Sequence, residues 1–128
     1  MEYLIDTHVL IWYIEGDSAL PHHLIKILDD DETLIIISIV SLWELTIKVG
    51  LGKLKLSISL QQLQQKISVS RNFKVLNIEF EHLNTLQTLP RHHSDPFDRM
   101  LISQAITEGL TIVSADQHFS SYPVNVSW

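Results

Sequence analysis

Residues 33–49 read TLIIISIVSLWELTIKV, and the change of rhythm inside this stretch decides the fold. Thr33–Ser38 is β-branched and continuously apolar, the pattern of a strand buried on both faces of a parallel sheet. From about Val40 to Val49 the residues read as a helix, ended by Gly50 and Gly52. The same succession opens the chain. Tyr3–Asp6 reads as a short buried strand, and His8–Ile14 as a buried helix ending near Gly16.

Outward from these two units the alternation continues. Pro21 is placed to start a helix running to about Leu28, and Asp29-Asp30-Asp31-Glu32 is a solvated acidic turn. Leu60–Val69 carries Leu60, Leu63 and Ile67 at helical spacing, opposite a face of glutamines. Lys74–Ile78 is a third strand, followed by a helix through Leu83 and Leu86 that stops at Pro90. After the loop RHHSD, Pro96–Glu108 is a helix stopped by Gly109; Thr111–Ser114 is a fourth strand and Val124–Val126 a fifth. Alternating strands and helices with short connections make a single α/β domain over residues 1–128, its parallel sheet covered by helices on both faces.

Composition narrows the function. With 128 residues the chain can bury a real core. A hydrophobic content of 45% and mean hydropathy of +0.14 lean towards an apolar surface covered by a partner. The absence of cysteine excludes disulfides and thiolate metal sites. The first apolar stretch lacks a basic leader and contains Asp6 and His8, and no apolar run approaches the roughly 20 residues of a membrane span, so a soluble cytoplasmic protein is expected. A net charge of −6 argues against a protein that coats nucleic acid, but not against an acidic pocket for metal ions.

Four carboxylates stand out. Asp6 ends the first strand and Asp116 follows the fourth; Glu44 lies one to two turns into the helix after the second strand, and Asp98 in the first turn of the helix before the fourth. Ligands of open parallel sheets bind outside the carboxyl ends of the strands, where the strand order reverses. If the first and fourth strands are neighbours, all four acids can face one crevice. Each also has a plain structural reading. Asp6 and Asp116 can cap the turns that follow them. Glu44 can pair with Lys48 four residues on. Asp95-Pro96-Phe97-Asp98 is a helix start, with Asp95 as N-cap. Taken together the plain readings weaken, because Glu44 is the only acid between Glu32 and Glu79 and sits between Trp43 and Leu45. Several carboxylates in one crevice repel each other unless cations are bound, and oxygen-only ligands suit Mg²⁺ or Mn²⁺ rather than zinc. Such a site fits phosphoryl-transfer chemistry. His92 and His93 lack a matching second pair of zinc ligands and are expected on the loop surface.

The segments LIDTHVLIW, SIVSLWELTIKVGLGKL, DPFDRMLISQA and TIVSADQHF resemble, in order and spacing, the motifs of PIN-domain ribonucleases, especially the VapC-type toxins of bacterial toxin–antitoxin pairs. The resemblance spans essentially the whole chain. It implies a three-layer α/β/α fold with sheet order 3-2-1-4-5, and Mg²⁺- or Mn²⁺-dependent cleavage of single-stranded or looped RNA to 3′-hydroxyl and 5′-phosphate ends. Asp6, Glu44, Asp98 and Asp116 match the metal-binding acids, and Thr7 and Ser114 the supporting hydroxyls. Arg99, Lys48, Lys53, Lys55 and Arg91 are candidates for holding RNA phosphates. The resemblance also implies a homodimer and an antitoxin whose helix lies in an apolar groove, with the segments around Trp12 and Trp43 as candidate surfaces; core packing is the alternative for both tryptophans. Three other readings compete. A receiver-like signalling module would pair two acids after its first strand and place a lysine after a late one, whereas Asp6 is followed by Thr7 and His8 and no lysine follows Ser114. An inactive scaffold of the same fold would have lost acids that are all present here. A dehalogenase-like phosphatase would need an aspartate where His8 stands.

Overall fold

The computed structural model describes residues 2–128. Five parallel strands, β1 (Glu2–Ile5), β2 (Leu34–Ser38), β3 (Phe73–Leu76), β4 (Thr111–Val113) and β5 (Val126–Ser127), form one sheet in the order 3-2-1-4-5. Helices α1 (Thr7–Glu15), α2 (His22–Leu28), α3 (Ile39–Gly50), α4 (Leu60–Val69), α5 (Phe80–Thr88) and α6 (Pro96–Glu108) connect them. The expected α/β/α architecture and strand order are those observed.

The continuous apolar strands are explained by the two cores they separate. Side chains alternate along a strand, so Ile5, Ile35, Ile37 and Val113 enter a core with Val9 and Leu10 of α1, Leu24 and Leu28 of α2, and Leu63 of α4. Leu4 and Ile112 point the other way, into a core with Met100, Leu101, Ile102 and Ala105 of α6 and with Phe119. Each such Leu or Ile contributes roughly 1.5–3 kcal/mol on burial. Gly16 ends α1 at φ 62°, a left-handed conformation that favours glycine, and its N–H returns to the last turn.

Element ends moved where pairing overruled local pattern. β3 spans Phe73–Leu76 rather than 74–78 because its partner β2 runs only to Ser38, opposite Leu76, before turning into α3. β5 spans Val126–Ser127 rather than 124–126. Its register is set by β4, whose Ile112 N–H takes Asn125 O and after which Ser114 N–H takes Ser127 O. Pro21 stands one residue outside α2, at the N-cap with ψ 147°, rather than at the first helical position.

Candidate active site

β1 pairs with β2 on one side and β4 on the other, so the strand order reverses at β1. The crevice expected at such a point opens beyond Ile5 and Val113. Asp6 enters it directly, because its N–H continues the ladder to Val113 O at 3.1 Å while its backbone turns into α1. Both readings of Asp6 therefore hold at once. Oδ1 caps α1 by accepting from Val9 N–H at 2.8 Å, and Oδ2 accepts from the Ser114 hydroxyl. Ser114 Oγ in turn accepts from Asp116 N–H at 3.0 Å, so one hydroxyl ties the first acid to the fourth.

Glu44 projects from α3 and is buried at 5% exposure. Two groups compensate it. Thr7 Oγ1 donates to Oε1 at 2.8 Å, with Ser41 Oγ 3.0 Å from the same hydroxyl, and Lys48 Nζ lies 2.8 Å from Oε2. The i,i+4 pair read from the sequence is present, and so is the burial that makes it necessary. Lys48 thus neutralises an acid of the crevice. Lys53, Lys55 and Arg91 are exposed.

Asp98 stands in the first turn of α6, where Asp95 caps Phe97 N–H at 2.9 Å and Asp98 N–H at 3.3 Å and Pro96 starts the helix. Burial, then Asp95, Glu44, Asp116 and Asp6 push the Asp98 carboxyl up to about 7. Four acids from four different elements therefore share one field. Asp6 is raised as well, by burial and to a smaller degree by Asp116, against the lowering effects of Ser114, Val9 and His8. Burial works on Asp116 in the same direction, but the backbone N–H and ring of His118, both 2.9 Å from Oδ1, hold it below its ordinary value. The charge in the crevice is negative, its donors are oxygens, and the mutual repulsion is of the kind a hard divalent cation relieves. Among the described residues no three His, Asp or Glu side chains close into a preassembled ligand cluster.

Two expectations are corrected here. Arg99 does not reach into solvent for phosphates. It is buried at 6% exposure, with Nη1 donating to Pro90 O at 2.8 Å and to Tyr122 Oη at 3.3 Å and Nη2 donating to Leu89 O at 3.2 Å. Its charge and fork geometry hold the loop before α6, which ends in its own helical cap. His93 is not a loop-surface residue either: its side chain is 12% exposed and its ring stacks on His118 at 5.4 Å. Its burial depends on Tyr122, 29 residues further on, and no local pattern in RHHSD signals that. The tryptophans divide. Trp43 is 58% exposed and meets Phe97 edge-on, whereas Trp12 is half-buried between His8 and Trp128. Beside Trp43, a groove of about 620 Å³ runs between α3 and α4, lined by Leu42, Leu60, Leu63, Ile67 and Val75.

Residues 3–125 match the family model described as PIN domain. Solved structures agree in fold. The VapBC2 complex of Rickettsia felis, bound to a promoter DNA fragment, has a chain that superposes with a TM-score of 0.72 at 20% identity, covering 100% of this chain and 99% of that one. For DNA-bound VapBC from Salmonella typhimurium the values are 0.69 and 18%, covering 99% and 97%. The PIN domain endonuclease Utp24 gives 0.50 at 16% identity, covering 93% of this chain and 74% of that one. No curated protein sequence matches the chain.

Proposed function

The chain belongs to the PIN-domain family, and on that premise we propose that it is a Mg²⁺- or Mn²⁺-dependent endoribonuclease, the toxin of a toxin–antitoxin pair. One observation carries the reading: at the carboxyl end of the sheet Ser114 ties Asp6 to Asp116 and Thr7 ties the turn after Asp6 to Glu44, and the Asp98 carboxyl is raised beside them, although the four acids come from separate elements. A fold needs no such convergence for stability, since like charges in a crevice weaken the folded state. The receiver-like alternative does not fit the family.

Asp6, Glu44, Asp98 and Asp116 would hold the cation. A Mg²⁺ or Mn²⁺ ion held there would polarise a phosphodiester oxygen and acidify a water for attack on the phosphorus, with the 3′ oxygen leaving. The chain's own residues prepare the site. The Val9 N–H and Ser114 hydroxyl orient the Asp6 carboxylate from two sides. Thr7 and Lys48 do the same for Glu44, and His118 for Asp116. In the absence of a cation Asp98 holds a proton up to about pH 7, so proton release accompanies loading of the site. Exposed Lys53 and Arg91 are the candidates for RNA phosphates.

The antitoxin partner is supported by the VapBC complexes among the structural neighbours. The groove beside Trp43 has the apolar lining that the apolar face of an amphipathic helix requires. Homodimerisation and action in the cytoplasm follow from the same reading; no helix of the described residues is long and apolar enough to cross a membrane.

The test is cleavage of single-stranded RNA by the purified protein with Mg²⁺, Mn²⁺ or EDTA. Wild type is expected to cut only with the cation. Asp6→Asn and Asp98→Asn are expected to fold and not to cut: asparagine caps α1 about as well as aspartate, α6 keeps its Asp95 cap, and at both positions an amide is a poor ligand for a hard cation. Undiminished cleavage by both variants overturns the assignment. Growth arrest on expression, relieved by a small protein encoded alongside, separates a toxin from a housekeeping nuclease.

A further inference from the structure

Three of the four acids have a hydrogen-bond donor on the carboxylate: Ser114 and Val9 on Asp6, Thr7 on Glu44, and His118 on Asp116. Asp98 accepts none among the described residues. The nearest side-chain nitrogen is His93 Nε2, 3.6 Å from Asp98 Oδ2 and therefore beyond hydrogen-bond length. That nitrogen is also the one buried side-chain atom, among the described residues, that lacks a hydrogen-bond partner. An orphaned buried donor and a carboxylate without a donor thus face each other across the edge of the crevice.

The surrounding bonds decide which nitrogen of His93 carries the proton. Tyr122 Oη receives the backbone N–H groups of His92 and His93 at 3.1 and 3.2 Å and Arg99 Nη1 at 3.3 Å. Its oxygen is saturated with donors, so its own proton goes to His93 Nδ1, 2.8 Å away. A neutral ring that accepts at Nδ1 carries its hydrogen on Nε2, the atom aimed at Asp98. The ring has little freedom to turn away, because it lies parallel to His118, 6° between planes, and against the Tyr122 ring.

We propose that His93 is a positioning residue for Asp98: in the cation-loaded site its Nε2–H hydrogen-bonds Oδ2 and holds the carboxylate in its ligand orientation. Closing 3.6 Å to about 2.9 Å requires a movement of about 0.7 Å, within the range of a side-chain adjustment. The role rests on the metal-site reading above and completes its pattern, giving the third acid the kind of outer partner the other three possess. Tyr122 sets the tautomer from behind, and Arg99 and the loop N–H groups of His92 and His93 fix Tyr122.

Two substitutions separate this role from simple loop anchoring. His93→Asn keeps an acceptor near the Nδ1 position for Tyr122 and places nothing at Nε2. His93→Gln extends an amide N–H to the Nε2 position and gives up the Tyr122 bond. Mn²⁺ affinity is measured without RNA, from the free-ion EPR signal, alongside thermal unfolding and the kcat and KM of cleavage. The Asn variant is expected to bind Mn²⁺ about 10-fold more weakly and to lose kcat with KM for RNA unchanged, while the Gln variant recovers most of both. A purely structural role reverses the order, with Gln the worse of the two. In wild type, ¹⁵N NMR of the imidazole is expected to show the proton on Nε2; a proton on Nδ1 overturns the proposal without any variant. Wild-type Mn²⁺ binding and cleavage matched by the Asn variant overturn the His93 role alone. A wild type that neither binds Mn²⁺ nor cuts RNA overturns the metal-site reading and this role with it.

Discussion

Replacing Asp98 by asparagine is expected to make the metal-free protein more stable. Burial, Asp95 and the other three acids hold the Asp98 carboxyl at about 7, against an ordinary 3.8. A raised folded-state pKa means that folding favours the protonated form. The stability it confers is full below pH 4 and is lost as the pH rises through about 7. At roughly 1.4 kcal/mol per decade the ceiling of that loss is about 4 kcal/mol. The carboxylate is 21% exposed, so solvent screening brings the expected value to about 2 kcal/mol. Asparagine loses the attraction of an ionised acid to the start of α6, about 0.5 kcal/mol. The net gain above pH 7 is therefore about 1.5 kcal/mol, or about 6 °C in Tm for a chain of this size. Thermal unfolding followed by circular dichroism in EDTA, from pH 4 to pH 8, reads this directly. The two proteins are expected to melt together at pH 4 and to diverge as the pH rises. Saturating Mn²⁺ should reverse the order, because it stabilises only the protein that binds it, by about 2.7 kcal/mol at 100 times Kd. A variant less stable than wild type at pH 8 in EDTA, or an offset equal at pH 4 and pH 8, refutes the electrostatic argument.

Thr7→Val preserves shape but leaves Glu44 Oε1 without its buried donor; a loss of about 1–3 kcal/mol is expected in urea unfolding, together with weaker Mn²⁺ binding. Arg99→Ala should cost about 2–4 kcal/mol, because Leu89 O and Pro90 O lose their donor inside the protein. By contrast Lys53→Ala and Arg91→Ala, at exposed positions, should change stability by no more than about 0.5 kcal/mol and show their effect in KM for RNA. Trp43→Ala should lower stability by only about 1 kcal/mol, through its contact with Phe97. The same variant should weaken binding of the adjacently encoded antitoxin by about 2 kcal/mol or more in calorimetry; unchanged affinity removes Trp43 from the interface.

What the amino-acid sequence determined by itself was whatever local chemistry specifies. The continuous, β-branched apolar run at 34–37 reads as a strand covered on both sides, and the glycines at 16 and 109 end helices because they accept a left-handed backbone. Asp6 and Asp116 were legible for a related reason: an acid immediately after an apolar strand in a parallel sheet must emerge at its carboxyl end, wherever that strand lies. Tertiary structure decided the rest. The end of β3 is set by where β2 stops, which no residue within β3 encodes. Arg99 follows Asp98 and carries the charge of a phosphate ligand, yet the carbonyls of Leu89 and Pro90 and the hydroxyl of Tyr122 turn it inward. His93 reads as part of a polar loop until Tyr122 and His118 arrive from beyond β4 to enclose it. Trp12 and Trp43 lie on equally apolar helices, and only the packing of neighbouring elements buries one more than the other. The physical reason is common to all four cases: local backbone conformation responds to nearest neighbours, whereas strand ends, burial and partnership depend on groups brought together from distant parts of the chain.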